Sequence, residues 1–152
     1  LIETMAATRG GGRQAPAPTF SLSPETSEAA VLAHGRTWGE LHMNAAKGLM
    51  ALWGLEPGKA QWNEKVSFQS DTPEDLIVVW LEELVYRLTA RGEVWAGGRA
   101  IEATGRSLAL NASWRALGEG EKPQREIKAA TYHGLKVNRA AGLFSATVIL
   151  DV

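Results

Sequence analysis

Residues 72–92 read TPEDLIVVWLEELVYRLTARG, and this stretch decides the fold class because it delimits a long helix at both ends. Thr72 is a typical N-cap residue, Pro73 suits the first helical position, and acidic residues occupy the first turn. Gly92 is the expected C-terminal stop. The apolar spacing predicts a broad buried face made of Leu76, Val79, Trp80, Glu83, Leu84, Tyr86 and Leu88.

A second helix precedes this one in the chain. Thr37 and Glu40 have the spacing of a capping box, and apolar residues then recur at steps of three and four until Gly54. Elsewhere the pattern has a period of two, which predicts strands at Phe20–Leu22, 29–34, 65–70, 93–95, 99–103, 109–115, 126–132, 135–138 and 143–150. This order predicts an α+β fold, with two helices packed on a largely antiparallel β-sheet.

The composition excludes several classes of protein. The chain has 152 residues, 45% of them apolar, which is enough for one core. Its net charge of −1 supplies no overall basic field, so strong direct nucleic-acid binding is not expected. The absence of cysteine excludes disulfides, thiolate zinc sites and cysteine nucleophiles. The three histidines, His34, His42 and His133, have no metal-binding spacing.

The N-terminal stretch and the apolar runs bear on location. Residues 1–18 are rich in Gly, Pro, Ala and Arg and have no continuous apolar run, which predicts a disordered tail before a domain at 19–152. The sequence begins with Leu1, so an upstream-extended reading frame with its start at Met5 is one interpretation. No apolar run approaches the roughly 20 residues of a membrane span, so a membrane partner is not expected and cytoplasm is the default location.

Polar residues within apolar stretches are the remaining candidates for function. The six tryptophans are interpreted as core, because no basic groove accompanies them. Glu83 lies on the apolar side of its helix, where it either pairs with Arg87 at i+4 or has another role. On a strand over 126–132, Lys128 and Tyr132 would share one face and His133 the other, which makes either a binding patch or a solvated face.

The sequence ends in SATVILDV, an apolar run that closes on Asp151 and Val152. A side-chain carboxylate next to a terminal carboxylate is either an accident of where the chain stops or half of a metal site. Ca²⁺ and Mg²⁺ prefer clustered oxygen ligands.

Four stretches resemble the archease family over residues 20–152. The opening, FSLSPETSEAAVLAHGRTWGELHMNAAKGLMALW, is similar to the family's F-x-F-x-D-H-T-A-D-V-G-I-R-A-x-G-x-T-L-E-E-L-F-x-N-A-A-x-G-L-F. PEDLIVVWLEELVYRL resembles the family's x-E-D-L-L-V-x-W-L-N-E-L-L-Y. IKAATYHGLKV and VILDV resemble its closing K-A-x-T-Y-H-G-L-x-V and V-I-x-D-[IV].

The resemblance implies an accessory protein and not an enzyme. Archeases assist the GTP-dependent 3′-phosphate RNA ligase of tRNA splicing and RNA repair, promoting its guanylylation and turnover, so the implied partner is that ligase. The resemblance also implies a divalent-metal site formed by Glu28, Asp151 and the terminal carboxylate of Val152. Ca²⁺ is favoured and Mg²⁺ or Mn²⁺ are alternatives. Glu83, Lys128, Tyr132 and His133 match family positions and are the implied partner-binding residues.

One corner departs from the family pattern. PETSE, residues 24–28, stands where the family has D-H-T-A-D, so Glu28 keeps a carboxylate that is longer by one C–C bond, about 1.5 Å. Ca²⁺ tolerates such a change better than Mg²⁺. The departure supports an alternative function, a diverged interaction module that has lost metal binding and ligase activation. A free-standing metal-dependent hydrolase ranks last, because the sequence offers no base–nucleophile pair.

Overall fold

The computed structural model describes residues 20–22 and 29–152, and it combines two long helices with eight strands. In chain order the elements are β1 (Phe20–Leu22), β2 (Ala29–Gly35), α1 (Trp38–Trp53), β3 (Trp62–Gln69), α2 (Pro73–Arg91), β4 (Glu93–Ala103), β5 (Ser107–Ala116), β6 (Ala129–Ala130), β7 (Val137–Ala140) and β8 (Leu143–Asp151). The predicted α+β class is confirmed. The tail predicted for residues 1–18 and the PETSE corner, residues 24–28, lie outside the described residues.

The described strands form two sheets in which every pairing is antiparallel. The larger sheet has the order β1-β2-β8-β6, and β7 also pairs with β8. The smaller sheet has the order β3-β5-β4. Helix α1 packs against β2 and β4 and so contacts both sheets, while α2 packs against β3, β4 and β6. The alternation of apolar residues predicted the strands but not their division into two sheets.

Both helices begin and end where the sequence predicts. The Thr37 hydroxyl accepts a hydrogen bond from the Glu40 N–H at 3.0 Å, and the Thr72 hydroxyl accepts one from the Asp75 N–H at 3.0 Å. Gly54 and Gly92 adopt the left-handed conformation, with φ of 69° and 63°, and close the two C-termini. Neither helix is long and apolar enough to cross a membrane, as far as the described part of the chain is concerned.

The two helices share one core, as expected from their apolar faces. Trp53, Trp80, Trp95 and Trp114 are all buried, which confirms the core interpretation for these four tryptophans. The indole N–H of Trp80, on α2, donates to the His42 carbonyl of α1 at 2.9 Å. The predicted buried face of α2 is wrong at one position, because 52% of Tyr86 is exposed.

Several predicted strands have different bounds; the strand predicted for 135–138, for example, is Val137–Ala140 in the structure. The two predicted for 93–95 and 99–103 form one strand, β4, which contains register shifts after Trp95 and after Ala100. Gly98 adopts a φ of 135° at the first of these, a conformation open to glycine. The strand predicted for 126–132 is largely wrong, because only Ala129–Ala130 pair as a strand.

Candidate metal and partner-binding site

The end of β8 lies between two other strands of the larger sheet. On one side Ala29, the first residue of β2, pairs with Leu150. On the other side Ala129 of β6 pairs with Asp151, and the Lys128 N–H donates to the Asp151 carbonyl at 2.7 Å. The start of β2, the end of β8 and the start of β6 therefore meet at one end of the sheet.

Two of the three predicted metal ligands, Asp151 and Val152, lie at this end of the sheet. Asp151 is exposed, while the side chain of Val152 packs against the hydrophobic core and anchors the residue that follows β8. Glu28 is the residue before Ala29 and lies outside the described residues. Residues 20–22 and 29–152 contain no group of three or more His, Asp or Glu side chains arranged to hold a metal. The three-ligand site therefore stays a prediction.

Side-chain carboxylates of α2 bind the segment that follows β5. The three hydrogen bonds run from the Ala130 N–H to Glu82 (3.1 Å), from the Tyr132 hydroxyl to Asp75, and from the Val137 N–H to Glu74 (2.8 Å). Each joins residues at least 48 positions apart in the chain. The segment 128–137 is thus fixed to α2 at three points.

The strand predicted for 126–132 is short because the chain turns after Thr131. The Thr131 N–H and hydroxyl both donate to the Ile149 carbonyl, each at 2.9 Å, and pairing with β8 ends there. The chain then turns, with the Leu135 N–H donating to the Tyr132 carbonyl at 3.0 Å and Gly134 at a φ of 62°. Lys128 and Tyr132 therefore do not share a strand face, contrary to the sequence-based interpretation.

The structure brings three of the four predicted partner-binding residues to one exposed segment. Lys128, Tyr132 and His133 are all exposed, and 55% of Tyr132 is accessible to solvent. They lie beside β6, next to the end of β8. This exposure excludes a core position for Tyr132.

Glu83, the fourth residue, faces a different neighbour. Its carboxylate accepts a hydrogen bond from the Arg87 Nε at 2.8 Å, as the i+4 spacing predicted. Arg87 is only 3% exposed, also bonds Glu64 and Glu93, and lies with its Cζ 4.0 Å from the ring centre of Trp114. Although burial opposes the charge of Arg87, hydrogen bonds to Glu64 and Glu83 raise its pKa. Glu83 thus helps to fix α2 to the smaller sheet.

The contact between Asp75 and Tyr132 shifts both pKa values. The hydrogen bond from Tyr132 holds the pKa of the Asp75 carboxyl below its usual value. The same bond raises the pKa of Tyr132 to about 12. The carboxylate and the neutral phenol are therefore the stable forms at neutral pH, so the contact persists under those conditions.

The sequence predicts no contact for Glu82, and for Glu74 and Asp75 it predicts only a favourable charge at the N-terminus of the helix. The structure adds a second role, because Glu74 and Asp75 bind residues from a distant segment. Their position in the first turn was a visible signal. The identity of the groups that they bind was not, since those groups are remote in sequence.

The chain is similar to known proteins over most of its length. The profile of the Archease protein family (MTH1598/TM1083) matches residues 20–152. The chain belongs to the archease family. It is 30% identical over 141 residues to protein archease of Methanosarcina mazei, covering 88% of this chain and 95% of the relative. It is 28% identical over 137 residues to protein archease of Methanopyrus kandleri, covering 84% and 94%.

Solved structures show the same archease fold. The solution structure of Methanobacterium thermoautotrophicum protein 1598 is similar, with a TM-score of 0.67 and 25% identity over 88% of this chain and 99% of that chain. A crystal structure of an archease from Thermotoga maritima, described as a possible chaperone, has a TM-score of 0.61 and 24% identity, with 84% and 93% of the two chains covered. The resemblance of this sequence to archeases is thereby confirmed for both family and fold.

Proposed function

We propose that the chain is an accessory protein that activates a GTP-dependent 3′-phosphate RNA ligase of tRNA splicing and RNA repair. It promotes guanylylation and turnover of the ligase in the cytoplasm and performs no chemistry of its own. Membership of the archease family over residues 20–152 supports this proposal. The low net charge, −1, suits contact with the protein partner more than with RNA.

One structural observation supports the proposal in addition to family membership. The registers of β2 and β6 on β8 bring Lys128, the exposed Asp151 and the residue after Glu28 to one end of the larger sheet. The exposed Tyr132 and His133 follow shortly after β6. An exposed polar segment beside a carboxylate on a rigid sheet is suited to contact a partner and its bound nucleotide. This arrangement supports Lys128, Tyr132 and His133 as partner-binding residues.

The donor set of the proposed metal site suits a hard divalent cation. Glu28, Asp151 and the terminal carboxylate of Val152 would supply only oxygen ligands, and Ca²⁺ accepts such ligands in irregular geometry. Two of these ligands are held in place by neighbouring groups. The Val152 side chain packs against the core, and the Asp151 carbonyl accepts a hydrogen bond from the Lys128 N–H. The bound cation would supply positive charge at this end of the sheet.

The test of ligase activation is guanylylation of the purified ligase with GTP, measured with and without the protein. The parent protein should increase the rate, and Lys128→Ala should reduce the increase without loss of stability, because exposed lysines contribute little to folding. Lys65→Ala is the matched control, since Lys65 is also exposed but lies on β3 of the smaller sheet. Equal stimulation by Lys128→Ala and by the parent would exclude this segment as the working surface.

The metal site has its own test, calorimetric titration with Ca²⁺. A peptide tag fused after Val152 turns the terminal carboxylate into a neutral amide and should weaken binding, whereas the same tag before Leu1 should not. Glu28→Asp restores the shorter family ligand and should preserve or strengthen binding. Equal affinity of the two tagged forms would remove the terminal carboxylate from the ligand set. A parent protein that neither binds Ca²⁺ nor stimulates the ligase, with no rescue by Glu28→Asp, would establish the diverged interaction module instead.

A further inference from the structure

Two aromatic side chains on or next to α2 are not buried by the fold. Tyr86 is 52% exposed, and Tyr132, which hydrogen-bonds Asp75, is 55% exposed. Asp75, Val79, Glu82 and Tyr86 recur at steps of four, three and four, so they lie on one side of the helix. Asp75 and Tyr86 are roughly 16 Å apart along the helix axis. We call this surface, made of Tyr132, Asp75, Val79, Glu82 and Tyr86, the α2 ridge.

The α2 ridge has excess negative charge. Helix α2 contains four carboxylates and two guanidinium groups, in a chain whose net charge is only −1. Both guanidinium groups are engaged with carboxylates beside the ridge: Arg87 bonds Glu64 and Glu83, and Arg91 pairs with Glu93. The charges of Asp75 and Glu82 are therefore not offset by a cation of α2, and the bonds that these two accept come from uncharged donors.

Two carboxylates between exposed tyrosines fit a cationic protein segment. An arginine side chain can stack on a tyrosine ring and bond a carboxylate with its fork of N–H groups. Tyrosine is also among the residues that contribute most at protein interfaces. RNA does not fit, because its phosphates would meet carboxylates, and a second copy of this face would bring like charges together.

We propose that the α2 ridge docks a basic, arginine-bearing segment of the partner protein, with Tyr86 and Tyr132 as aromatic anchors at its two ends. This inference rests on the proposed function for the identity of that partner, the ligase. It extends the proposed contact surface from the segment 128–133, which includes Tyr132, along α2 to Tyr86. Tyr86 becomes a partner-binding residue that the sequence placed in the core.

The experiment is an NMR titration of the full chain with a synthetic helical peptide rich in arginine and leucine. Amide signals of residues 75–90 should shift, and Tyr86→Ala should weaken binding about tenfold, as expected for an interface anchor. Tyr86→Ala should remain folded, because the side chain is half exposed and alanine favours helix. Ile101→Ala is the matched control, since Ile101 is 55% exposed on β4 and should leave peptide affinity unchanged.

Several results would overturn the α2 ridge as a docking surface. They are equal affinity of Tyr86→Ala and the parent, shifts centred on another surface, and equal binding of a peptide with glutamine in place of every arginine. Shifts at residues 75–90 caused by a single-stranded RNA, or by raising the concentration of the chain alone, would assign the surface to RNA or to a second copy. The peptide titration tests the α2 ridge as a docking surface, and ligase guanylylation tests the proposed function. Either proposal can therefore be refuted while the other stands.

Discussion

Mild acid should destabilise this protein through one buried residue, His42. His42 is 0% exposed, and its Nδ1 donates to the Trp38 carbonyl at 2.8 Å. Its Nε2 is buried without a hydrogen-bond partner. Burial lowers the pKa of His42 to about 4, although the bond to Trp38 opposes the shift. The neutral imidazole is therefore the form that the folded protein holds.

The size of the effect follows from the difference between folded and unfolded pKa values. An unfolded histidine has a pKa of about 6.5, so the ceiling of the effect is about 3.4 kcal/mol. Because the folded pKa is depressed, the unfolded chain binds more protons between these values. The stability is present above about pH 6.5 and is lost as pH falls towards 4. The expected loss between about pH 7.5 and pH 5 is roughly 2 kcal/mol.

Urea denaturation of the parent and of His42→Leu at several pH values between about 5 and 7.5 measures this loss. The Leu variant lacks the titrating group, so its free energy of unfolding should depend on pH by roughly 2 kcal/mol less than that of the parent over this range. Comparing the two proteins cancels the contributions of all other groups. Identical pH dependence of the two proteins would refute the reasoning, as would an NMR titration of the His42 ring with a midpoint near 6.5.

Three further predictions concern charged contacts. Arg87→Met leaves three carboxylates without their common partner and should lower the free energy of unfolding, measured with urea, by about 3 kcal/mol. Arg91→Met, at an exposed pair, should lower it by less than about 1 kcal/mol. Equal losses would contradict a special role for burial. The pKa of Glu121 is lowered to about 2, so its contribution to stability should be lost as pH falls from about 4.5 towards 2. Over this range the free energy of unfolding of the parent should fall more steeply with pH than that of Glu121→Gln. Tyr132→Phe removes the hydroxyl donor to Asp75, so the pKa of that carboxyl should rise towards its usual value in a carboxyl NMR titration, and an unchanged value would show that the bond does not hold it.

The helices were predictable because their signals are local. Thr37 and Thr72 bond amides three residues on, and Gly54 and Gly92 end the helices through their own backbone conformation. Each of these contacts is encoded within a few residues, so the sequence specifies it before any tertiary structure forms. The periods of the apolar residues likewise gave the existence of most strands.

The sequence-based predictions are wrong or incomplete where contacts between residues distant in sequence determine the structure. The segment 126–132 alternates like a strand, yet its bonds to β8 end at Thr131, where the chain turns, and Asp75 and Glu82 of α2 bind groups of this segment that do not face β8. Tyr86 has the spacing of a core residue, and nothing within α2 indicates that its side chain stays half exposed. The pairing of Glu83 with Arg87 was predictable from i+4 spacing, whereas the carboxylate of Glu64, on β3, was not.

The hydrogen bonds that the Ala130 and Val137 N–H groups donate to α2 also affect self-association. These two N–H groups belong to β6 and β7, the strands that line the outer side of β8, and there an incoming chain could add another strand. Glu82 and Glu74 already occupy them, and β6 and β7 are only two and four residues long. This border of the larger sheet therefore offers a poor template for strand addition, and the helix that helps to build the core also protects the fold from edge-to-edge aggregation.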